Sequence, residues 1–327
     1  MKHAEVTVII PIYNVETVVR GVLESVYAQT YPIHEIILID NHSADRSVDV
    51  VQSFFQKRKK IPYRLIRRKK TYGLSDSYNL GADLSKTAYI VTLHSDSFLP
   101  GPSELTKLMK PFNSADSAMY VASIPVVVHR MHEWNQYSYW QKCLFAQVVG
   151  KSSWSLNGKF DAYKKDVYVK IGGYDTASFN NETGSEDADM HFRLKKQGEI
   201  AKTTANVVHA HGMNPNYSLS DWIRRRKFLA RTYAVQLRLH WREMGTGGVL
   251  VFFIKPALVV LSIASILHPV FLLPVLVFPF VYMRPIFMSK LTRRDIRSIA
   301  VPFIVVYLIF AESVWMLRSL FSEEYRV

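Results

Sequence analysis

The chain has 327 residues, enough for one large domain or two ordinary ones. Hydrophobic residues make up 49% of it, yet the formal net charge is +14. The apolar excess lies after residue 249 and much of the basic excess just before it, which suggests an apolar anchor with a basic belt toward anionic lipid. No nucleic-acid module is visible, and the single cysteine, Cys143, excludes an intrachain disulfide and fits a reducing compartment.

Met1-Lys2-His3 leads directly into an apolar strand, residues 6–10, too short for a signal-peptide core and stopped by Pro11. The catalytic part is therefore expected in the cytosol. Residues 15–29 have helical spacing, with Val18, Val19, Val22, Leu23 and Val26 on one face. Glu35-Ile36-Ile37-Leu38-Ile39-Asp40 is a second strand ending in a carboxylate. Residues 41–45 are loop chemistry, 46–60 read as a helix, and 63–66 as a third strand. A helix within 73–83 leads to a β-branched strand that stops at His94-Ser95-Asp96-Ser97. The alternation predicts a parallel α/β sheet with Asp40 and Asp96 at its C-terminal edge, where open sheets form their binding crevice.

After Pro100 the alternation loosens. Residues 121–129 read as a strand, 134–149 as an aromatic-rich helix, Gly172-Gly173-Tyr174 as a turn, and 186–197 as a helix with an acidic start. Residues 205–211 read as a strand ending in His209-Ala210-His211, whose two imidazoles share a face. Residues 221–243 interleave arginines with aromatics, as in a helix lying in a membrane interface. Residues 249–283 and 300–317 are apolar runs carrying one charge each, Lys255 and Glu312. Either can cross a bilayer, which takes about 20 residues. The link between them is basic and belongs on the cytosolic side. A first run that enters and returns near His268-Pro269 satisfies that rule. These features predict a multi-pass protein of the cell membrane with a cytoplasmic catalytic domain over 1–220, a basic interface helix over 221–245 and an anchor over 246–327.

Six ordered segments carry candidate chemistry: Val8-Ile9-Ile10-Pro11-Ile12-Tyr13-Asn14, Leu38-Ile39-Asp40-Asn41-His42-Ser43-Ala44-Asp45, Gly73-Leu74-Ser75-Asp76-Ser77-Tyr78-Asn79-Leu80-Gly81, Leu93-His94-Ser95-Asp96-Ser97, Gly184-Ser185-Glu186-Asp187-Ala188-Asp189-Met190 and Val208-His209-Ala210-His211-Gly212. A carboxylate at a strand end can accept from a nucleotide base, and one beside a leaving diphosphate can hold a metal. A further carboxylate can take a proton from an acceptor hydroxyl. In this order the segments resemble glycosyltransferase family 2, the inverting GT-A enzymes, over about residues 5–240. Tyr217-Ser218-Leu219-Ser220-Asp221-Trp222-Ile223-Arg224-Arg225 resembles its rhamnosyltransferase-like members.

The resemblance implies a GT-A (Rossmann-like) mixed sheet followed by C-terminal transmembrane helices. It implies nucleotide contacts at Pro11, Tyr13, Asn14, Asp40, Asn79 and Ser95, and Mg²⁺ or Mn²⁺ held by Asp96 with His211. Asp187 takes the place of the base, Glu186 orients the acceptor, and Asp189 supports the helix start or a nearby basic residue. Arg224 and Arg225 contact diphosphate or lipid phosphate. His94 stands where the family's DxD has its first carboxylate. No QxxRW follows, which points to transfer of single sugars. The implied reaction moves a sugar from a UDP-, GDP- or dTDP-sugar to a hydroxyl of a lipid-linked saccharide, with no nucleic-acid partner. Two other readings stay open. One is a polyprenyl-phosphate glycosyltransferase, against which the Glu186-Asp187 pair speaks. The other is a non-catalytic nucleotide-binding membrane scaffold, which His94 motivates.

Overall fold

The computed structural model describes residues 4–129, 135–146, 148, 151–179, 184–210, 216–290 and 292–321. They fall into two compact units. The first lies within Met1–Arg130, Gly150–Thr176 and Asn180–Gly212, the second within Met131–Val149, Ala177–Phe179 and Met213–Val327.

The first unit is built on one mixed sheet. Its strands are β1 (Val6–Ile12), β2 (Ile33–Asp40), β3 (Tyr63–Arg67), β4 (Tyr89–Leu93), β5 (Ser97–Phe98), β6 (Tyr120–Val128), β7 (Ser152–Trp154), β8 (Phe160–Lys164) and β9 (Glu199–His209). The order is β3-β2-β1-β4-β8-β6-β9-β5, with β7 paired to β6. β1 is buried along its whole length, and the last six residues of β2 are buried. Strands covered on both faces must be continuously apolar, which is why they read so plainly in the sequence. The expected parallel ladder holds across β3-β2-β1-β4. Beyond it β8 runs antiparallel to both β4 and β6, while β6 and β9 are parallel.

Helices α1 (Val19–Tyr27), α2 (Ser47–Gln56), α3 (Leu74–Leu84) and α4 (Glu104–Met109) cover the sheet, and α5 (Tyr139–Phe145) belongs to the second unit. α6 (Lys165–Lys170) and α7 (Glu186–Lys195) complete the first unit. One core buries α1 and α2 against β1 and β2 through Val19, Val22, Leu23, Val51, Phe54 and Phe55. The other packs α3 and α7 on the opposite face through Tyr78, Ala82, Met190 and Leu194. α3 approaches β1 so closely that a Cβ on Gly81 would lie 2.3 Å from Ile9 Cγ2, so this position accepts only glycine without a backbone shift.

The second unit is helical: α5, α8 (Leu219–His240), α9 (Gly245–Ala264), α10 (Leu273–Tyr282), α11 (Arg284–Met288) and α12 (Val301–Phe321). The helix expected over 134–149 is confined among the described residues to α5, whose start is fixed by Ser138 Oγ accepting from Gln141 N at 3.2 Å. α8 begins in a capping box between Ser218 and Asp221. It buries Trp222, Ala230, Ala234 and Leu237, the first stacked on Trp140 with ring centroids 5.5 Å apart. The basic helix thus has a packed face of its own. Gly245–Ala264 and Ile296–Phe321 are long and apolar enough to cross a membrane by length and composition. Leu250, Val260, Ile263, Ile266, Leu267 and Phe303 leave much of this unit's apolar surface uncovered.

Candidate active site

The C-terminal ends of β1 and β2 lie side by side, with Ile12 in register with Asp40. Asp40 is buried; its Oδ1 accepts from Ser43 N at 3.0 Å, and Arg67 Nε stands 3.8 Å from Oδ2. Asn14, in the left-handed region at φ 52°, ties the two loops together. Its Oδ1 accepts from Ala44 N at 2.8 Å and its N donates to Ser43 Oγ at 3.1 Å. Tyr13 projects half-exposed beside it. Pro11, also expected at the nucleotide, is buried inside β1 opposite Ile39.

Asn79, expected at the nucleotide, is hydrogen-bonded within the protein. Its Nδ2 donates to Tyr174 O at 2.8 Å, while Oδ1 accepts from Tyr174 N and Tyr168 Oη, each at 2.8 Å. The amide is committed to the Gly172-Gly173-Tyr174 turn. Gly173 has φ 65°, and a Cβ there would lie 2.3 Å from Asn79 Oδ1. The asparagine and the glycines are therefore one structural device.

β4 stops at Leu93, and the chain turns sharply, with Ser97 N donating to His94 O at 3.1 Å. Asp96 and the half-buried Ser95 lie in that turn. β5 then pairs with the end of β9, Ser97 opposite His209. This sets Asp96 Oδ2 3.2 Å from His209 Nε2, while His94 Nδ1 is 3.7 Å from Oδ1. Ligand atoms of His94, Asp96 and His209 all lie within 4.8 Å of one another, and the three can hold a divalent cation. Burial alone would raise the Asp96 carboxyl, but the His209 and His94 imidazoles and Lys159 hold it well below the usual range. Burial and Lys159 push His94 down to about 3 against the pull of Asp96, so its imidazole is neutral, the form that ligates metals. His94 Nε2 is buried without a hydrogen-bond partner among the described residues. Of the HxH pair, His209 reaches Asp96, and His211 lies outside the described residues.

Glu186 and Asp187 open α7. Glu186 is buried and accepts from Gly184 N. Asp187 is raised well above the ordinary carboxylate range by burial and by Glu186, with Asp161 adding to the rise and Lys159 opposing it. Asp189 serves the nearby basic residue: Arg193 Nε donates to it at 2.8 Å, and Arg193 Nη1 bonds Ile171 O and Gly173 O.

Two residues of this site went unnoticed in the sequence. Asp161, in β8, is fully buried; its Oδ2 accepts from Asn157 N at 2.8 Å and Gly158 N at 2.5 Å, and burial pushes its carboxyl up to about 6. Lys159 acts electrostatically on His94, Asp96, Asp161 and Asp187 together. The signal available was a charged pair two apart after a glycine, Gly158-Lys159-Phe160-Asp161, ahead of the Gly-Gly turn. Tyr78, Tyr163, Tyr168 and Tyr174 wall the site from behind, with Tyr78 Oη donating to Gly158 O at 2.8 Å. Arg224 and Arg225 belong to the second unit. Arg224 is exposed and bonds Asp221 Oδ1 at 2.9 Å, and Arg225 lies over the Phe228 ring at 4.9 Å.

A mixed sheet with Asp40 and Asp96 at the ends of its parallel strands has the GT-A fold. The mannosyltransferase PcManGT from Pyrobaculum calidifontis, solved in complex with GDP-Man and Mn²⁺, shares it at TM-score 0.63 and 15% identity, covering 99% of this chain and 89% of that one. GalNAc-T7, solved with UDP, GalNAc and Mn²⁺, shares it at TM-score 0.53 and 12% identity over 78% of this chain and 51% of that one. The family model for glycosyl transferase family 2 matches residues 7–174, and the chain belongs to that family. An uncharacterized glycosyltransferase of Haemophilus influenzae is 28% identical over 197 residues, 58% of this chain and 62% of that one. Glycosyltransferase GlyA of Streptococcus pneumoniae is 32% identical over 95 residues, 29% of this chain and 13% of that one. The chain thus spans less than two thirds of the length of either relative.

Proposed function

We propose that the chain is a metal-assisted inverting glycosyltransferase. In this reading it moves a sugar from a UDP-, GDP- or dTDP-sugar to a hydroxyl of a lipid-linked saccharide at a membrane surface. The observation that carries it is the pairing, within one unit, of a raised carboxylate, Asp187, with the low carboxylate Asp96 between two imidazoles. Two carboxylates driven apart in this way suit opposite roles.

Asp187 takes the proton of the acceptor hydroxyl as that oxygen attacks the anomeric carbon; its raised affinity for protons makes it the stronger base. Glu186, buried beside it, keeps that affinity high. Asp40, Asn14 and Tyr13 shape the nucleotide site at the β1 and β2 ends. His94, Asp96 and His209 would hold Mn²⁺ or Mg²⁺, with His211 a further candidate ligand, and the cation supplies Lewis-acid neutralisation of the departing diphosphate. Two nitrogen donors beside one carboxylate favour Mn²⁺ over Mg²⁺, which prefers oxygen throughout. The GDP-Man and Mn²⁺ of PcManGT and the UDP and Mn²⁺ of GalNAc-T7 are consistent with this donor class. The apolar helices and exposed side chains of the second unit support the membrane assignment, with 1–220 catalytic and 221–245 and 246–327 attaching it.

The test incubates purified full-length chain with a panel of nucleotide sugars and extracted lipid, and scores product lipids by mass spectrometry. A glycosidic bond to a lipid-linked sugar hydroxyl, lost in Asp187→Asn, is the expected result. Sugar joined through phosphate with activity surviving Asp187→Asn would overturn it for a polyprenyl-phosphate enzyme. Nucleotide binding without any transfer would overturn it for a scaffold.

A further inference from the structure

Helices of the second unit bring three charges together: Arg226 of α8, Lys255 of α9 and Glu312 of α12. Arg226 Nε donates to Glu312 Oε1 at 2.7 Å, and Nη2 donates to Oε2 at 3.1 Å. Lys255 Nζ donates to the same Oε2. Tyr282, at the end of α10, accepts from Arg226 Nη2 at 2.5 Å. Both cations also lie against its ring, 5.4 and 5.0 Å from the centroid. The Glu312 side chain is 3% exposed and each cation 16%.

Two cations share one carboxylate, so among the described residues the cluster keeps an excess positive charge. It does so inside a helical unit that includes the two helices apolar enough to cross a membrane. An uncompensated charge in such surroundings is costly and favours a counter-anion. Donors are in surplus as well. Of the N–H groups on a guanidinium and an ammonium, those on Arg226 Nη1 and two on Lys255 Nζ have no partner among the described residues. That is the donor set a phosphate recruits. Lys255 and Glu312 also fall near the middle of their helices, about 15 Å from either end at 1.5 Å per residue. A phosphate bound there requires the headgroup plane to lie about halfway along both helices, so that each enters about one leaflet's depth and neither crosses, unlike the multi-pass expectation.

We propose that Arg226, Lys255 and Tyr282 form a binding site for the phosphate of a lipid, with Glu312 holding the two cations in place. The proposal rests on the membrane reading above. Its phosphate comes from a membrane phospholipid or from an isoprenyl phosphate carrier, and the chemistry is shared.

The test uses full-length chain in a maltoside detergent and native mass spectrometry with phosphatidylglycerol, farnesyl phosphate or inorganic phosphate. One lipid retained per chain is expected, with retention falling at least tenfold in Arg226→Gln and in Lys255→Met. Glu312→Gln keeps a side-chain acceptor to hold the two cations while removing the competing negative charge, and raises retention, which a purely structural ion cluster would not do. Displacement of phosphatidylglycerol by farnesyl phosphate assigns the site to a carrier lipid, and the reverse preference to the bilayer. No retention by the unsubstituted chain, or retention unmoved by both cation substitutions, would overturn the proposal whether or not the variants fold well. Binding of inorganic phosphate without either lipid would overturn the lipid assignment. Flotation of the chain with phosphatidylcholine vesicles separates the two failures. A chain that floats but retains no lipid refutes this site alone, and one that does not float refutes the membrane reading.

Discussion

His209 Nε2 lies 3.2 Å from Asp96 Oδ2 although 113 positions separate the two residues. Backbone pairing makes the contact: Ser97 faces His209 across β5 and β9, and Ala210 N donates to Asp96 O at 2.9 Å. The carboxylate that follows β4 is thereby completed by a strand from the far end of the unit, and the candidate metal ligands beside it are imidazole nitrogens.

Metal preference follows from that donor set. Mn²⁺ is expected to bind more tightly than Mg²⁺ in the absence of any substrate, read by calorimetry and by the electron paramagnetic resonance signal of free Mn²⁺. Asp96→Ala and His209→Ala should each weaken Mn²⁺ by at least about tenfold. His94→Asp should move the preference toward Mg²⁺. Equal affinity for the two ions in the unsubstituted chain would refute the nitrogen-rich assignment.

The base prediction concerns rate and pH together. Asp187→Asn should lower kcat by roughly 10²–10⁴-fold with little change in donor KM, as loss of a general base does. Because Asp187 is raised, it works only above that raised value, so kcat/KM falls as pH drops through it. Glu186→Gln removes a neighbouring negative charge and moves this limb to lower pH. Lys159→Met removes the opposing positive charge and moves it higher. A limb that stays put in both variants would assign the titration to another group.

Much of this was legible before any coordinates. Val6–Ile12 and Ile33–Asp40 are continuous apolar runs because both faces are covered, and such runs announce themselves. Asp40, Asp96 and Asp187 were legible because each ends a strand or opens a helix beside a recognisable turn. β8 was not. Phe160-Asp161-Ala162-Tyr163-Lys164 hides a buried carboxylate in a central strand, made tolerable by the backbone N–H groups of Asn157 and Gly158 together with the Tyr163 hydroxyl and the nearby Lys159 charge. The structural partners of Asn79 were not legible for a related reason: they lie 95 residues away in the Tyr174 turn, a separation no local pattern reports.

Asp161 gives a stability prediction with a definite sign. Its folded value is about 6 against an ordinary 3.8, so the folded state holds its proton more tightly than the unfolded one. The associated stability is fully present below about pH 4 and is lost as pH rises through 6. The displacement amounts to about 3 kcal/mol. Asp161→Asn should therefore unfold at higher temperature than the unsubstituted chain above pH 6 and show no such gain at pH 4, by thermal denaturation at both pH values.

Asn79 should behave as a structural residue. Asn79→Ala removes three hydrogen bonds that fix the Tyr174 turn and is expected to cost about 2–4 kcal/mol. Gly173→Ala should be damaging too, since its φ is 65° and the new methyl meets Asn79 Oδ1. Denaturant titration measures both. Full stability with nucleotide affinity lost in Asn79→Ala would return this residue to the nucleotide site.

The two-residue ladder between β5 and β9 has a further consequence. Side chains alternate along β9, so a single residue inserted or deleted between Asn206 and His209 would replace the imidazole beside Asp96 with the aliphatic side chain of Val208 or Ala210. The earlier part of β9 already carries register shifts against β6 and can absorb such changes. Length variation is thus tolerable in the first half of this strand and disabling in its last few positions. For anyone grafting or shuffling segments of this fold, the crossover belongs before Asn206.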